Sequence, residues 1–344
     1  MARIVHHLVR GITALLIASL VGLTLAQQAG PLAPSWLELT RFLPYPALLG
    51  PALLALLLAC TLGWRWVLAS LVTLALVVTL AMGLAWGRPQ AGGTPLRLMT
   101  YNIKAYKALQ RDDGFRELAR EVALHQPDIL VTQDSHGVSR AQAAALWPGG
   151  RAFGMPYQFA ADQYIVASRY PLRDCALGRT DDRGQPLGFV RCRVDVDGVV
   201  LNLVTTHFES PRSGLNAARR EGLEGADDWR QNHAERLGQA QALAHELRGL
   251  GAGARPLVVA GDLNAPESSP VIRALLGLGL RDAFTSAGRG YGYSYGHAFR
   301  LGFSFLRIDH ILVSPELGVA DAFAGGAQAS EHRPVIADLR LPPR

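Results

Sequence analysis

Three long apolar runs near the N-terminus constrain this chain more than any other feature. Residues 8–26, 46–63 and 66–86 carry no charge beyond Arg10. Each is about as long as a bilayer core requires of a helix, roughly 17–25 residues. A backbone in hydrocarbon must satisfy its own hydrogen bonds, which makes these runs helices. Residues 1–87 hold only Arg3, Arg10, Arg41 and Arg65 as bases and Glu38 as an acid. The expectation is an N-terminal transmembrane region over 1–87 with about three helices. The first run also reads as a secretory signal, since bases precede it and Thr24-Leu25-Ala26 resembles a small-residue cleavage site. Under either reading the chain beyond residue 86 emerges outside. Arg3 and Arg10 hold the N-terminus in the cytoplasm and Arg65 marks the second turn as cytoplasmic, while Arg41 on the outer loop opposes the bias. The expected localisation is therefore an integral membrane protein whose second half lies on the periplasmic or extracellular side. Trp64, Trp66 and Trp86 sit at run ends, where indoles rest at the headgroup level. The runs lack the intramembrane polar residues that transport pathways use, which argues against a transporter.

A glycine- and proline-rich stretch, 88–95, reads as a linker, and a soluble domain is expected over 96–344. Of the chain's 34 bases and 28 acids, 30 and 27 lie beyond residue 87. So mild an excess is no argument for a nucleic-acid surface. Three cysteines without a CxxC pair form neither a disulfide framework nor a zinc site. Cys175 and Cys192 pair only if this half faces an oxidising compartment.

Beyond Leu96 short β-like runs alternate with helical stretches. LRLMTYNI, PDILVTQDS, YIVASRYPL, FVRCRVDV, VVLNLVTTHF, LVVAGDLN, LRIDHILVS and PVIADLRL read as strands, with Asp197-Gly198 as a hairpin turn. Phe115, Leu118, Ala119 and Val122 repeat with helical period, as do Leu237, Ala240, Ala244 and Leu247. Ser269 ahead of Pro270 is a helix start. Strands outnumber helices, which suggests two packed sheets with helices outside.

The chemistry shows where those strands finish. Asn102 ends the first, Gln133 and Asp134 the second, His207 another, Asp262 and Asn264 the next, Asp309 and His310 another, and Glu331 and His332 lead into the last. Two-residue spacing puts Asp262 and Asn264 on one face of an extended chain. Taken singly, each is an ordinary cap or turn residue; in series they indicate a site. Carboxylates and amides without a cysteine cluster favour a hard cation, Mg²⁺ or Mn²⁺, and histidines beside carboxylates favour proton transfer or anion stabilisation. No phosphate-cradling GxxxxGK[ST] or GxGxxG loop follows a strand, and no GxSxG elbow appears. Metal-assisted hydrolysis of a phosphate ester is the economical reading.

The ordered motifs TYNI, LVTQD, ASRYPL, TTHF, GDLN, RIDHIL and SEHRPV resemble those of the endonuclease/exonuclease/phosphatase family over roughly residues 95–342. The resemblance implies an α/β fold, a four-layer sandwich of two mixed sheets flanked by helices, and a divalent-metal phosphoesterase. By position it implies that Asp134 and Glu331 hold the metal with Asn102 nearby, that Asp262 orients or deprotonates water, and that Asn264 places the phosphate. His207 and His332 would stabilise charge on the phosphoryl oxygens, with Asp309 holding the His332 ring. Two departures stand out. The family usually has Gln-Glu at Gln133-Asp134 and Ser-Asp-His at Ser330-Glu331-His332. One presumed ligand loses a methylene and the other gains one. The expectation is that the metal shifts toward Asp134 and activity survives, Mg²⁺ keeping waters that take up slack; the rival is a pseudoenzyme that binds phosphate without cleaving it.

Substrate choice is left open. After His207 a long excursion carries Arg212, Arg219 and Arg220, whose forks suit phosphate oxygens but which also have acids nearby to pair with. The glycine-rich loop 288–303 carries Tyr291, Tyr293 and Tyr295, a surface suited to bases or lipid headgroups, or simply a loop packed by its own aromatics. Arg212, Arg219, Arg220 and Tyr293 are the candidate substrate-binding residues. Nucleic acid, a phospholipid or sphingomyelin headgroup and a small ester all fit. The expected partners are this ester and, through the N-terminal helices, the membrane; no obligate protein partner is evident.

Overall fold

The computed structural model describes residues 2–30, 34–44, 46–136, 146–182, 185–222, 224–251, 255–300 and 302–343. The chain divides into two units, Met1–Ala85 with Ser268–Pro270, and Trp86–Glu267 with Val271–Arg344.

The first unit is helical. Helix α1 spans Ala2–Ala26, α2 spans Pro46–Ala59 and α3 spans Trp64–Leu76, the last continuing as a π turn over Val77–Ala81. Ala2–Ala26 and Trp64–Ala81 are long and apolar enough to cross a membrane. The middle run differs from expectation. Only 14 of its residues are helical, which at 1.5 Å per residue is about 21 Å, short of a core of about 30 Å. Past Ala59 the chain leaves the helix through a turn over 60–62 and reaches Gly63, at φ 108°, which caps the start of the next helix. Arg41, the base that opposed the expected orientation, is fully buried and 2.6 Å from Glu38. Its charge is met inside the unit rather than displayed to headgroups.

Among the described residues the two large sheets of the second unit are built from twelve strands: β1 Thr94–Asn102, β2 Ile129–Gln133, β3 Tyr157–Ala161, β4 Tyr164–Ser168, β5 Leu172–Asp182, β6 Gln185–Val196, β7 Val199–His207, β8 Leu257–Asp262, β9 Arg281–Asp282, β10 Asp309–Val313, β11 Gly318–Ala324 and β12 Val335–Leu341. They form two six-stranded sheets, ordered β11-β12-β1-β2-β4-β3 and β9-β10-β8-β7-β6-β5. Each sheet is mixed, with one parallel pair, β1 with β2 and β7 with β8, among antiparallel neighbours. Cys175 on β5 and Cys192 on β6 are joined as a disulfide, beside a register shift between Arg173 and Ala176.

Period-two alternation sorts the side chains. Met99, Tyr101, Leu130 and Ile336 pack outward with Phe115, Leu118 and Val122 of helix α4, Gly114–His125. Val204, Val259 and Leu312 pack outward with Leu243 and Leu247 of helix α6, Ala226–Gly249, which follows the shorter α5, Arg212–Glu221. The intervening residues, among them Leu98, Val131, Leu203, Val258 and Ile311, face the other way and are buried. Gln133 Nε2 bonds the two sheets directly, donating to Thr205 Oγ1 of the other sheet at 3.0 Å as well as to Thr100 Oγ1 of its own at 3.1 Å. The result is the four-layer arrangement of helices, sheet, sheet, helices.

Candidate active site

Parity and strand direction together assemble the site. Asn102 ends β1 opposite Gln133 on the parallel β2. His207 ends β7 opposite Asp262 on the parallel β8, and Asp309, starting the antiparallel β10, also pairs with Asp262. Asn102 shares parity with the inward Leu98, His207 with Leu203, Asp262 with Val258 and Asp309 with Ile311. Polar residues from both sheets therefore meet at one edge. Gly261 lets β7 and β8 approach there, because a Cβ on it would lie 1.9 Å from Thr206 O.

One oxygen is the hub. Asp262 Oδ2 accepts from Asn102 Nδ2 at 2.9 Å and faces His207 Nε2 at 3.4 Å and His332 Nε2 at 3.6 Å. Asp262 is 1% exposed. His332 Nδ1 is 2.9 Å from Asp309 Oδ2, so the carboxylate holds the ring with Nε2 turned to Asp262. Burial alone would lower the His332 pKa, but the charges of Asp309 and Asp262 outweigh it and raise the value above the ordinary imidazole range. His207 is held similarly, by an amide: its Nδ1 donates to Gln163 Oε1 at 2.6 Å.

The second polar group lies beside the first. Asp134 Oδ2 accepts from Lys104 Nζ at 2.5 Å, and Asp134 Oδ1 is 3.7 Å from His207 Nδ1. Burial would raise the Asp134 pKa; His207 and Lys104 overcome it and hold the carboxyl below the usual range. Burial would lower Lys104, and Asp134 and Asp262 outweigh that and raise it. Glu331 stands across from Arg212, with Oε2 3.7 Å from Nη2. Arg212 donates to Tyr295 Oη at 2.8 Å, and the Tyr295 ring lies 4.6 Å from that of His332. A cleft of ≈ 620 Å³ opens here, lined by Lys104, Tyr106, Asp134, His207, Arg212 and Ser213 among others.

These residues fit a hard divalent cation. Asp309 Oδ1 is a buried oxygen with no hydrogen-bond partner among the described residues, and a carboxylate oxygen in that condition calls for a cation; Glu331 Oε2 also lacks a hydrogen bond but faces the Arg212 guanidinium. Asp262, Asp309 and His332 bring one donor atom each within 4.8 Å of one another. Of these, His332 Nδ1 and Asp309 Oδ2 engage each other and both Asp262 oxygens accept N–H groups, which leaves Asp309 Oδ1 and His332 Nε2 as the open donor atoms.

The sequence-predicted residues fare differently. Asn102, Asp134, His207, Asp262, Asp309 and His332 are drawn into this linked group, and Glu331 joins it through Arg212 and Tyr295. Asn264 is not on the extended face expected of it. The strand ends at Asp262 and Asn264 takes a left-handed turn at φ 48°; its N–H donates to Asp262 Oδ1 at 3.1 Å and its Nδ2 to Phe208 O at 2.9 Å. Arg236 Nη1 in turn donates to Asn264 O at 3.1 Å. Arg219 and Arg220 are exposed in the last turn of α5 and do not line the cleft. Tyr293 stacks on Tyr291 at 5.1 Å, and it is Tyr295, two residues on, that meets Arg212 and His332. His310, adjacent to Asp309, has the opposite parity and bonds Asp282 at 2.7 Å and Ala265 O at 2.9 Å. Lys104, Gln163 and Tyr295 went unread in the sequence as site residues. Lys104, two residues past Asn102, was the one within reach of a motif.

Comparison with solved structures places the fold. The chain is 16% identical to an endonuclease/exonuclease/phosphatase family protein from Bacteroides thetaiotaomicron, with a TM-score of 0.54 over 74% of this chain and 100% of that one. It is 18% identical to a truncated Caenorhabditis elegans TDP2, with a TM-score of 0.54 over 72% and 97%. It is 17% identical to a D. rerio TDP2 complexed with single-strand DNA product, with a TM-score of 0.55 over 72% and 99%. No curated protein matches the chain significantly by sequence. The family model described as Endonuclease/Exonuclease/phosphatase family matches residues 99–332, a span that runs from the first strand to the histidine beside Asp309. The chain belongs to the endonuclease/exonuclease/phosphatase family.

Proposed function

We propose that this protein is a divalent-metal-dependent phosphoesterase that hydrolyses a phosphodiester or phosphomonoester, held at a membrane by its N-terminal helices. The observation that carries the reading is the convergence of Asn102, His207 and His332 on one buried oxygen of Asp262. Asn102 fixes the carboxylate and leaves it to orient water and take its proton. His332, locked by Asp309, and His207, locked by Gln163, present Nε2 toward the same point and stabilise charge developing on the phosphoryl oxygens. Asp134 and Glu331, with Asn102 beside them, would hold Mg²⁺ or Mn²⁺, which supplies Lewis-acid polarisation of the phosphoryl group. Arg212 at the cleft offers a fork to the ester.

A second reading narrows the substrate to a phospholipid- or sphingomyelin-type diester. The two helices able to cross a membrane, Ala2–Ala26 and Trp64–Ala81, favour it, since they would keep the site close to lipid. The Cys175–Cys192 bond supports a catalytic unit on the periplasmic or extracellular side, where disulfides persist.

The test is a panel of single-stranded DNA, sphingomyelin, phosphatidylinositol phosphates and a chromogenic diester, given to the detergent-solubilised full chain with Mg²⁺ or Mn²⁺. Turnover of at least one ester, abolished by chelation and by Asp262→Asn, is expected. Phosphate binding without turnover under any divalent metal would establish the pseudoenzyme instead.

A further inference from the structure

The site contains a positive charge for which the reaction above has no use. Lys104 Nζ lies 2.5 Å from Asp134 Oδ2, with the two side chains 13% and 14% exposed. The pairing is built by the backbone. Both residues hold left-handed conformations, φ 43° for Lys104 and 53° for Asp134, which an ordinary lysine avoids and which persist only where the surroundings impose them. Lys104 N donates to Asn102 Oδ1 at 3.1 Å. Ala105 N donates to Asp134 O at 2.9 Å and Ile103 N to Gln133 O at 3.1 Å. The turns after β1 and β2 are thus laced together so that an ammonium falls on the carboxylate expected to hold a metal.

We propose that Lys104 is a resident counter-cation, which occupies Asp134 until a divalent ion displaces it and is then delivered to phosphate oxygens in the adjoining cleft, so that metal and phosphate bind cooperatively. This rests on the reading of Asp134 as a metal ligand. An ammonium and a divalent ion on one oxygen repel each other, so the ion must move the lysine. Lysine suits the task, being a point charge on a flexible four-carbon stem where arginine is a rigid fork. Lys104 also lines the cleft with Arg212, so phosphate there gives the displaced charge a partner. Coupling of this kind is reciprocal: whatever phosphate adds to metal affinity, metal adds to phosphate affinity.

The experiment is calorimetric titration of Mn²⁺ into the full chain, with and without inorganic phosphate. Lys104→Met should bind Mn²⁺ about tenfold tighter than wild type without phosphate, through loss of a nearby like charge, and phosphate should no longer tighten it. Lys104→Arg, which keeps the charge, should keep the weaker affinity. Lys104→Gln carries the same expectation as Lys104→Met should the latter fail to fold. Mn²⁺ binding that Asp134→Asn weakens but neither neutral variant tightens overturns the role of Lys104 alone. Binding that Asp134→Asn leaves untouched, or no binding at all, overturns the metal reading and the proposal with it.

Discussion

The strongest quantitative expectation concerns Asp282→Asn. Asp282 is buried, its side chain 2% exposed, and it holds two cationic or protonatable groups: Arg307 Nη1 at 2.8 Å and His310 Nδ1 at 2.7 Å. Arg307 is itself 8% exposed and also pairs with Glu267. Burial would raise the Asp282 pKa, but Arg307 and His310 outweigh it and hold the carboxyl well below the usual range. Asparagine keeps the volume and one acceptor and removes the charge. Breaking a buried pair from one side costs about 3–5 kcal/mol, because the partner charge is left uncompensated. For a unit of this size about 1 kcal/mol shifts Tm by roughly 2–4 °C, so a loss of about 6–20 °C is expected at pH 7. The sign with pH follows from the depressed value. The contribution of Asp282 is fully present above the unfolded carboxylate pKa of about 3.9 and is lost as pH falls through the folded one. The gap between wild type and variant should therefore stay level from neutral pH down to about 5 and narrow only in stronger acid. Thermal unfolding of both chains followed by circular dichroism across that range measures it. A gap of under about 1 kcal/mol at pH 7, or one that widens in acid, would refute the reasoning. Because His310 also bonds Ala265 O, the variant should also loosen the turn that carries Asn264.

Three further outcomes follow from the same geometry. Asp309→Asn should lower kcat about 10- to 100-fold, the difference between a charge-assisted and a neutral hydrogen bond to His332, and lower Tm as well, since it removes one side of a buried pair; steady-state kinetics with a turned-over ester and a melting curve decide it. Gly261→Ala should fail to fold or unfold far earlier, since its Cβ would lie 1.9 Å from Thr206 O; a normal melting curve would contradict the close approach of β7 and β8. Reducing the Cys175–Cys192 bond, which closes a loop of sequence separation 17, should cost about 3 kcal/mol by relaxing the constraint on the unfolded chain, read as an earlier chemical-denaturation midpoint in dithiothreitol.

What the sequence determined and what it left to the tertiary structure divide along a physical line. The eight strands legible as apolar runs, from LRLMTYNI to PVIADLRL, are β1, β2, β4, β6, β7, β8, β10 and β12, the interior strands of the two sheets. The four that were missed, β3, β5, β9 and β11, are the four sheet edges, where pairing on one side leaves no continuous buried run to read. The polar groups at strand ends were legible for the same local reason: alternation fixes which face a residue takes once its strand is known. Asp309 and His310 show the limit. Both stood in one motif, and only the sheet's two faces separated a site residue from one that braces Asp282. Asn264 shows another, because a turn after Asp262 rotated it out of the extended register its spacing implied. Lys104 and Gln163 were hidden because no periodicity marks them, and Tyr295, read only as one aromatic of the 288–303 loop, because nothing local set it apart from Tyr291 and Tyr293. Each comes from a loop and reaches the site only when β1, β2 and β7 bring their ends together. Local chemistry along the chain named the donors; the pairing of distant strands chose which of them meet.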